Sequence, residues 1–593
     1  MREPFILLDD ARPRPGGGAP ARVYRGPLQT FVANSGEEVD GAIAAAGEAA
    51  RSGRHVAGQI AYEAGLALEP TLAGRIRDTG EPLVWLAAFA DYEEIAAADV
   101  PRWLEREIDP APGPAHLGPL RPQIARRDYE AAFAALQDAI RAGDIYQANL
   151  TFMLEACWLG DPIALYAAIR DRALAGYGGI VFDGKTWSLS FSPELFFAVK
   201  DGAVTLKPMK GTRPRGVDDQ QDAAFAKELA ESEKDRAENL MITDLMRNDV
   251  SRVARAGSVR VEKPFAIETY PTVHQMVTTV RATLAEGADA TDLLRAIYPC
   301  GSITGAPKIR AMELIGELER QPRGIYCGAI GRIDPDGDAA FNVAIRTLRL
   351  HDDGCAKLGV GSAIVADSTA GQEWDECLVK SAFAGDATQK IKLIETMDFH
   401  PDRGVELIEF HLHRLKESAA SLGFACDRHA LRNEIQAFCF LNREAAKLRV
   451  TMDEDGVWQV AGSPLPEPMP DVVPVAIVPL PVDPEDWRLL HKTTAREFYE
   501  QARREAERRG AKEAILQRPD GLLTEGTFTS LFVERGMKLL TPPVANGLLP
   551  GVMRAALIEQ GRAEEFELKE ADLSAGFFIG NALRGLMPAR LVP

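Results

Sequence analysis

The chain has 593 residues and a formal net charge of −19, long enough for roughly two to four domains with large cores. At 46% hydrophobic and 26% charged residues it has an ordinary globular composition. No stretch of about 18 uninterrupted apolar residues occurs, so no membrane span is expected. The acidic balance argues against nucleic acid and anionic membrane as general partners. An anionic small molecule would need locally placed Lys and Arg. Seven cysteines without a CxxC pair read as reduced thiols of a cytoplasmic protein, with no structural zinc. The opening MREPFILLDD lacks a cleavable signal pattern, consistent with that expectation.

In chain order, residues 1–120 form an N-terminal region of short strand-like runs (5–8, 56–62, 83–89) and one helical run (42–50), without a catalytic constellation. Six prolines over residues 101–122 predict a connecting segment. Residues 127–142 have helical period, and Gly143-Asp144 ends that run before a strand at 145–151. Further on, Phe196–Lys200 and Ala203–Lys207 read as strands joined by Asp201-Gly202, a strong hairpin signal. Pro208 cannot donate to a ladder. It therefore predicts that Lys210, in Pro208-Met209-Lys210-Gly211-Thr212-Arg213-Pro214-Arg215-Gly216, stands on a short stiff loop. A strict two-residue turn pairs 194 with 209, so the pairing must loosen at Pro208 if Glu194 and Lys210 share a site. A buried Glu194 beside a lysine could serve as a general acid.

Residues 235–249 read as a helix with Asp235 and Glu238 on one face. Glu373 and Glu376 repeat the pattern, and Lys380 continues that face. Two helices presenting paired carboxylates could enclose a hard divalent cation such as Mg²⁺, which prefers oxygen ligands. Between them, Cys300-Gly301-Ser302-Ile303-Thr304-Gly305-Ala306-Pro307-Lys308 precedes a helix over 309–318, whose first N–H groups suit a carboxylate. Gly359-Val360-Gly361-Ser362-Ala363 lets backbone approach a ligand closely. His274, Tyr326 and Arg346 lie on apolar, strand-like segments, and an inward guanidinium needs an anion.

Taken together, KGTRPRG, ENLMITDLMRND, GSITGAPKIRAME and GSAIVADS with EWDE and Lys380 resemble the chorismate-utilising enzymes over about residues 120–385. The resemblance implies a two-layer α/β sandwich around a deep site for Mg²⁺ and chorismate, a small dianion. It implies Glu238 and Glu376 as Mg²⁺ ligands with Asp235 and Glu373 in support. Substrate carboxylates would be held by Thr304, Tyr326, Arg346, Lys380 and the backbone of Gly361, Ser362 and Ala363. Glu194 would assist loss of the ring hydroxyl, and His274 would lie near the ring. Water-adding members of the family carry a lysine where this chain has Gln147. Lys210 matches the aminodeoxychorismate-forming branch; the anthranilate-forming branch has alanine there. Met209 stands where isoleucine is usual. An amine at position 210 can add to the ring at C2 as the C4 hydroxyl leaves, after which ammonia at C4 expels it. No Gly-x-Cys-x-Gly elbow with a following His-x-Glu occurs, so a separate glutamine amidotransferase is expected to supply ammonia.

A connection near residues 381–391 separates a second region, so the domains are expected at 1–387 and 388–593. A Pro-rich stretch at 464–486 divides the second. Here Arg414 lies on a helix, Lys492 follows the Pro-rich stretch, Glu525 lies in a turn-then-strand segment, and Gly551-Val552-Met553-Arg554 opens a helix whose N–H groups can receive a phosphate. Together these resemble the fold-type IV pyridoxal-phosphate enzymes, a two-subdomain fold. The resemblance implies that Lys492 forms the Schiff base and Glu525 pairs with the pyridinium nitrogen. Arg414, Val552 and Met553 would hold the phosphate. Ser530 stands where asparagine is common. Relatives of this type often dimerise, which opens a homodimer through this region. Joined to the first region, the best match is a lyase that removes pyruvate from aminodeoxychorismate, giving 4-aminobenzoate for folate synthesis. The alternatives are a class IV aminotransferase of other specificity, an anthranilate synthase, or a silent scaffold that binds these ligands to regulate a partner.

Overall fold

The computed structural model describes residues 2–13, 18–270, 273–385 and 387–592. The chain forms two compact units. The first comprises 1–106, 120–156 and 166–387; the second comprises 107–119, 157–165 and 388–593. The main division thus falls after Ala387, but two stretches from the first half belong to the second unit. Asp386, inside the expected connection, lies outside the described residues. The helix Ala370–Gly385 runs further than expected and leaves only a few residues before the strand Leu393–His400.

The first unit is built on two large, mainly antiparallel sheets, of 11 and 10 strands. The strand Val84–Phe89 shows how they share a core. Val84, Leu86 and Ala88 pack with Val39 and Ile43 of the helix Gly36–Arg51, whereas Trp85, Ala87 and Phe89 pack with Ile6, Tyr24 and Val181 of the other sheet. A strand buried on both faces reads as an unbroken apolar run, and this one does. The expected α/β sandwich is therefore present, with helices on the outside and one apolar layer between the sheets.

The second unit holds a four-stranded sheet backed by the helices Ile408–Leu422 and Arg428–Leu441, and an eight-stranded sheet backed by Glu497–Arg508. Two Pro-rich stretches turn out to contain more structure than their composition implies. Within 464–486, the strand Val473–Pro479 pairs in parallel with Glu513–Gln517 on one side and Gly585–Leu591 on the other. Its prolines sit at its ends, Pro474 and Pro479, so the missing N–H groups barely interrupt the ladders. Within 101–122, the helix Val100–Glu107 buries Trp103 and Leu104, and 107–119 packs into the second unit. No helix among the described residues is long and apolar enough to cross a membrane.

Candidate functional sites

In the first unit the site forms where the chain crosses between the sheets. Trp187–Ser192 belongs to one sheet and Leu195–Lys200 to the other, so Pro193-Glu194 is a crossing. Ala339–Asn342 and Thr347–Leu350 make the reverse passage, through 343–346. The two crossings are stitched together. Val343 N–H donates to the Glu194 carbonyl at 3.1 Å, Phe191 N–H to the Arg346 carbonyl at 2.9 Å, and the Ser192 hydroxyl to the Val343 carbonyl at 2.6 Å. The Glu194 carboxylate is buried, and its Oε1 has no partner among the described residues. Burial pushes it up to about 7, against the opposing influence of Ser302 and Lys210. Arg346 is in a left-handed conformation, φ +50°. Burial disfavours its charge, and among the described residues no carboxylate faces it.

Lys210 is on a strand, not on the expected loop. Met209–Pro214 pairs with Val273–Thr283 along the same edge that Ala203–Leu206 uses. Pro208 breaks the ladder only on the donor side, because its carbonyl still accepts from Thr278 N–H at 3.2 Å. The hairpin register is as expected: Ala198 faces Thr205 and Lys200 faces Ala203. The loosening comes from register shifts between Leu195 and Phe197 and between Met209 and Thr212. The second shift contains Gly211, φ +83°, where a Cβ would lie 2.9 Å from Asp235 Oδ1. Only glycine lets this strand approach the helix Glu233–Ser251 so closely. Burial lowers the Lys210 ammonium; Glu238 opposes that most, Lys380 adds to it, and Glu194 and Glu376 oppose it.

The carboxylate helices meet the same amine. Ser232 caps the helix Glu233–Ser251 by accepting from Asp235 N–H at 3.2 Å. Glu238 is raised by burial, lowered by Lys210 and Lys234, and raised again by Asp235 and Glu373. Glu376 pairs with Lys380 at 2.7 Å, and Lys380 Nζ donates to the Gly361 carbonyl at 2.9 Å. Asp235 pairs with Arg213 at 3.1 Å. Among the described residues no three potential ligands already gather around one metal position. Even so, oxygen-only donors that repel one another are chemistry that suits a hard cation such as Mg²⁺.

Tyr326 is buried beneath Gly359, where a Cβ would fall on its ring, so that glycine is required by contact. Ser362 is fully buried on the strand Cys355–Ile364, which also carries Gly361 and Ala363. The Thr304 hydroxyl is buried and donates to the carbonyls of Cys300 and Gly301. Gln147 is completely buried, and neither atom of its amide has a partner among the described residues. His274 is engaged elsewhere: Nδ1 lies 3.0 Å from Thr269 Oγ1, and Nε2 lies 2.9 Å from Asp222 Oδ1. Asp222 also receives Arg215 and Gly216 N–H, so His274 braces the end of the KGTRPRG segment.

The second unit holds an open cavity of about 1250 Å³ lined by Arg414, Lys492, Glu525, Val552 and Met553 among others. Lys492 lies on the turn after Trp487–Leu489, and burial pushes its amine down to about 7. Glu395 opposes that shift, while Arg414, Arg496 and Arg449 add to it. Glu525 is buried; Tyr499 O–H donates to Oε1 at 2.5 Å and Leu549 N–H at 2.9 Å. Burial lifts its carboxyl to about 7. Arg414 is gripped by Glu395 at 2.9 and 2.7 Å, and its third nitrogen donates to the Pro550 carbonyl at 3.2 Å. The helix Val552–Glu559 opens into the cavity after Gly551, where a Cβ would lie 2.4 Å from Ser530 Oγ.

Glu395, His411 and Tyr499 escaped the sequence reading. Glu395 shares the buried face of the strand Leu393–His400 with Leu393, Met397 and Phe399, and that core-facing position was the available signal, because a buried charge needs partners. It accepts from His411 Nδ1 at 2.7 Å as well as from Arg414, and these partners hold its carboxyl well below the usual range despite burial. The amine, the carboxylate, the guanidinium and the helix start together fit a pyridine ring carrying a phosphate.

Residues 3–385 match the family model described as chorismate binding enzyme, and residues 392–592 match amino-transferase class IV. Aminodeoxychorismate synthase component 1 of Klebsiella aerogenes is 42% identical over 279 residues, covering 47% of this chain and 62% of that protein. Anthranilate synthase component 1 of Pseudomonas aeruginosa is 41% identical over 260 residues, covering 44% of this chain and 53% of the relative. This chain thus spans less than two thirds of the curated relatives it matches. Among solved structures, anthranilate synthase component I from Streptococcus pneumoniae TIGR4 superposes with a TM-score of 0.53 at 25% identity, over 65% of this chain and 93% of that one. The chain belongs to the chorismate binding enzymes and carries a class IV amino-transferase domain behind that region.

Proposed function

We propose that the protein makes 4-aminobenzoate from chorismate in two steps, amination in the first unit and pyruvate elimination in the second. The observation that carries the first step is Lys210, a desolvated amine facing Glu238, Glu194, Glu376 and Lys380. Relatives of both the aminodeoxychorismate and the anthranilate type match almost equally well, so the choice between them rests on that side chain.

Arg346 and Lys380 would receive the substrate carboxylates, with Tyr326, Thr304 and the Gly361–Ala363 backbone shaping the pocket. Glu238 and Glu376 would hold Mg²⁺, supported by Asp235 and Glu373; the ion would neutralise their mutual repulsion and add positive charge for a carboxylate. Glu194, protonated below about 7, donates its proton to the C4 hydroxyl, which leaves as water. Neutral Lys210 Nζ forms a bond to C2 as the ring double bonds shift. Ammonia then bonds to C4, the double bonds shift back, and the C2–Nζ bond breaks to return the lysine. A separate glutamine amidotransferase would supply the ammonia. The buried amide of Gln147 offers no base to activate water, which favours amination over hydration.

In the second unit, Lys492 would carry pyridoxal phosphate, Glu525 would face its ring nitrogen, and Arg414 with the Val552 and Met553 N–H groups would face its phosphate. When bound, that cofactor supplies an electron sink. Lys492, close to half neutral at pH 7, would take the C4 proton of the aminated ring and deliver it to the methylene carbon of the enolpyruvyl group as the C3–O bond breaks, so that pyruvate leaves and the ring becomes aromatic.

The test is incubation with chorismate, Mg²⁺ and an ammonium salt. 4-Aminobenzoate with equimolar pyruvate is expected. Accumulated aminodeoxychorismate would defeat the lyase assignment, and anthranilate would defeat the synthase assignment.

A further inference from the structure

Residues 107–119 are embedded in the first half of the sequence yet belong to the second unit. They form a strap beneath the turn that carries Lys492. His116, buried at 2% exposure, lies between Phe424 (ring centroids 6.5 Å apart) and Trp487 (5.6 Å). Trp487 continues the row to His491 at 6.3 Å, the residue immediately before Lys492. Polar contacts fix the same row. Trp487 Nε1–H donates to the Pro114 carbonyl at 2.9 Å, and its backbone N–H to the Pro112 carbonyl at 3.4 Å. His116 Nε2 lies 3.5 Å from the Leu422 carbonyl, and His491 Nδ1 lies 3.1 Å from Ser418 Oγ.

The strap is fitted to this place. Gly113 is left-handed, φ +87°, and a Cβ there would lie 2.6 Å from Asp486 Oδ1. Asp486 in turn caps Trp487–Leu489 by accepting from Arg488 N–H at 2.9 Å. A Cβ on Gly118 would lie 2.7 Å from the Leu422 carbonyl, while Gly118 N–H donates to Cys157 of the other transferred stretch at 2.8 Å.

We propose that His116 is a positioning residue for Lys492, acting through the Trp487 and His491 rings, so that the strap is an integral part of the cofactor site. The inference rests on the reading of Lys492 as the cofactor lysine. On its C-terminal side Lys492 is anchored by backbone, its carbonyl accepting from Ile394 N–H at 2.8 Å beside the Leu393–Thr493 bridge. On its N-terminal side it follows a 3₁₀ turn of three residues, and there the packed ring row sets how the chain approaches it. Misplacing a reacting group by about 1 Å can cost on the order of 10²-fold in rate. On this reading the cofactor site draws support from residues before position 388 as well as after it.

The test uses the full chain. H116N keeps a polar group but removes the ring; H116F keeps the ring. Pyridoxal-phosphate affinity, the rate of borohydride trapping on Lys492 and the pH midpoint of the cofactor's visible absorption are measured, with chorismate consumption as the control for the first unit. H116N is expected to weaken affinity and slow trapping about 10-fold or more and to shift the midpoint. H116F should recover most of the loss, and chorismate consumption should be unchanged in both. H116N with wild-type affinity, trapping and midpoint overturns the proposal even if its Tm falls. Should H116N not fold, W487F is read in the same three assays and, lacking the Pro114 bond, must show the same losses. If wild-type protein traps no cofactor on Lys492, the reading of that lysine fails first, which is a distinct result.

Discussion

The two lysines at the centre of the two units live in opposite surroundings. Lys210 faces acids: Glu238, Glu194 and Glu376 favour its charge, and Lys380 is the cation that opposes it. Lys492 faces cations, Arg414, Arg496 and Arg449, with Glu395 as its counterweight. Both are desolvated and both are lowered, Lys492 to about 7. At Lys210 the surrounding acids work against that lowering, and a cation bound by those carboxylates would remove their opposition. The first site is therefore expected to depend on metal for nucleophilicity, and the second is not.

The largest effect should come from Lys492→Ala, which removes the amine itself. Pyruvate release is expected to fall by about 10²–10⁴-fold or more, with aminodeoxychorismate accumulating, and borohydride should no longer fix cofactor to the protein. Lys210→Ala comes next. Chorismate binding by calorimetry should stay within a few-fold while amination is cut or redirected to the ortho product; unchanged 4-aminobenzoate production would show that the two lysines are not analogous. Glu194→Gln should slow amination by about 10²–10⁴-fold. In the wild type the rate should fall as pH rises through about 7, because the acid form is lost; the variant should lack that limb.

Glu395→Gln sharpens the contrast from the other side. It leaves the buried Arg414 without its counter-charge, a loss on the order of 3–5 kcal/mol for a broken buried pair, read by denaturant unfolding. Its linkage has a definite sign. Because Glu395 titrates below its unfolded value, its stabilisation is present above about pH 4.3 and fades as pH falls below that. The smallest effect is expected for Met209→Ile, a volume-conserving change at a buried position. It should cost under about 1.5 kcal/mol and leave the product unchanged.

Much of this molecule was legible without coordinates, because its signals are local. Period and turn chemistry located the helix Glu233–Ser251, the hairpin through Asp201-Gly202 and the double-buried strand Val84–Phe89. Spacing on one helix face put Asp235 with Glu238 and Glu373 with Glu376, and the Gly-rich segments marked backbone that something must approach. What remained hidden depends on residues far apart in sequence. Nothing near Pro208 announces that its carbonyl re-enters a ladder with Thr278, which moved Lys210 from a loop to a strand. Nothing near His274 announces Asp222, whose Oδ1 lies 2.9 Å from the imidazole Nε2.

The sequence by itself determined the two families and the residue types at their sites, since those are written in short ordered motifs. Tertiary structure alone decided surroundings and supports: that acids face one lysine and guanidinium groups the other, that Glu395 and His411 stand behind Arg414, and that a Pro-rich strap from the first half underlies Lys492. The physical reason is the same in each case. Desolvation, ion pairing and packing are properties of what surrounds a side chain, and those surroundings are assembled only when distant parts of the chain meet.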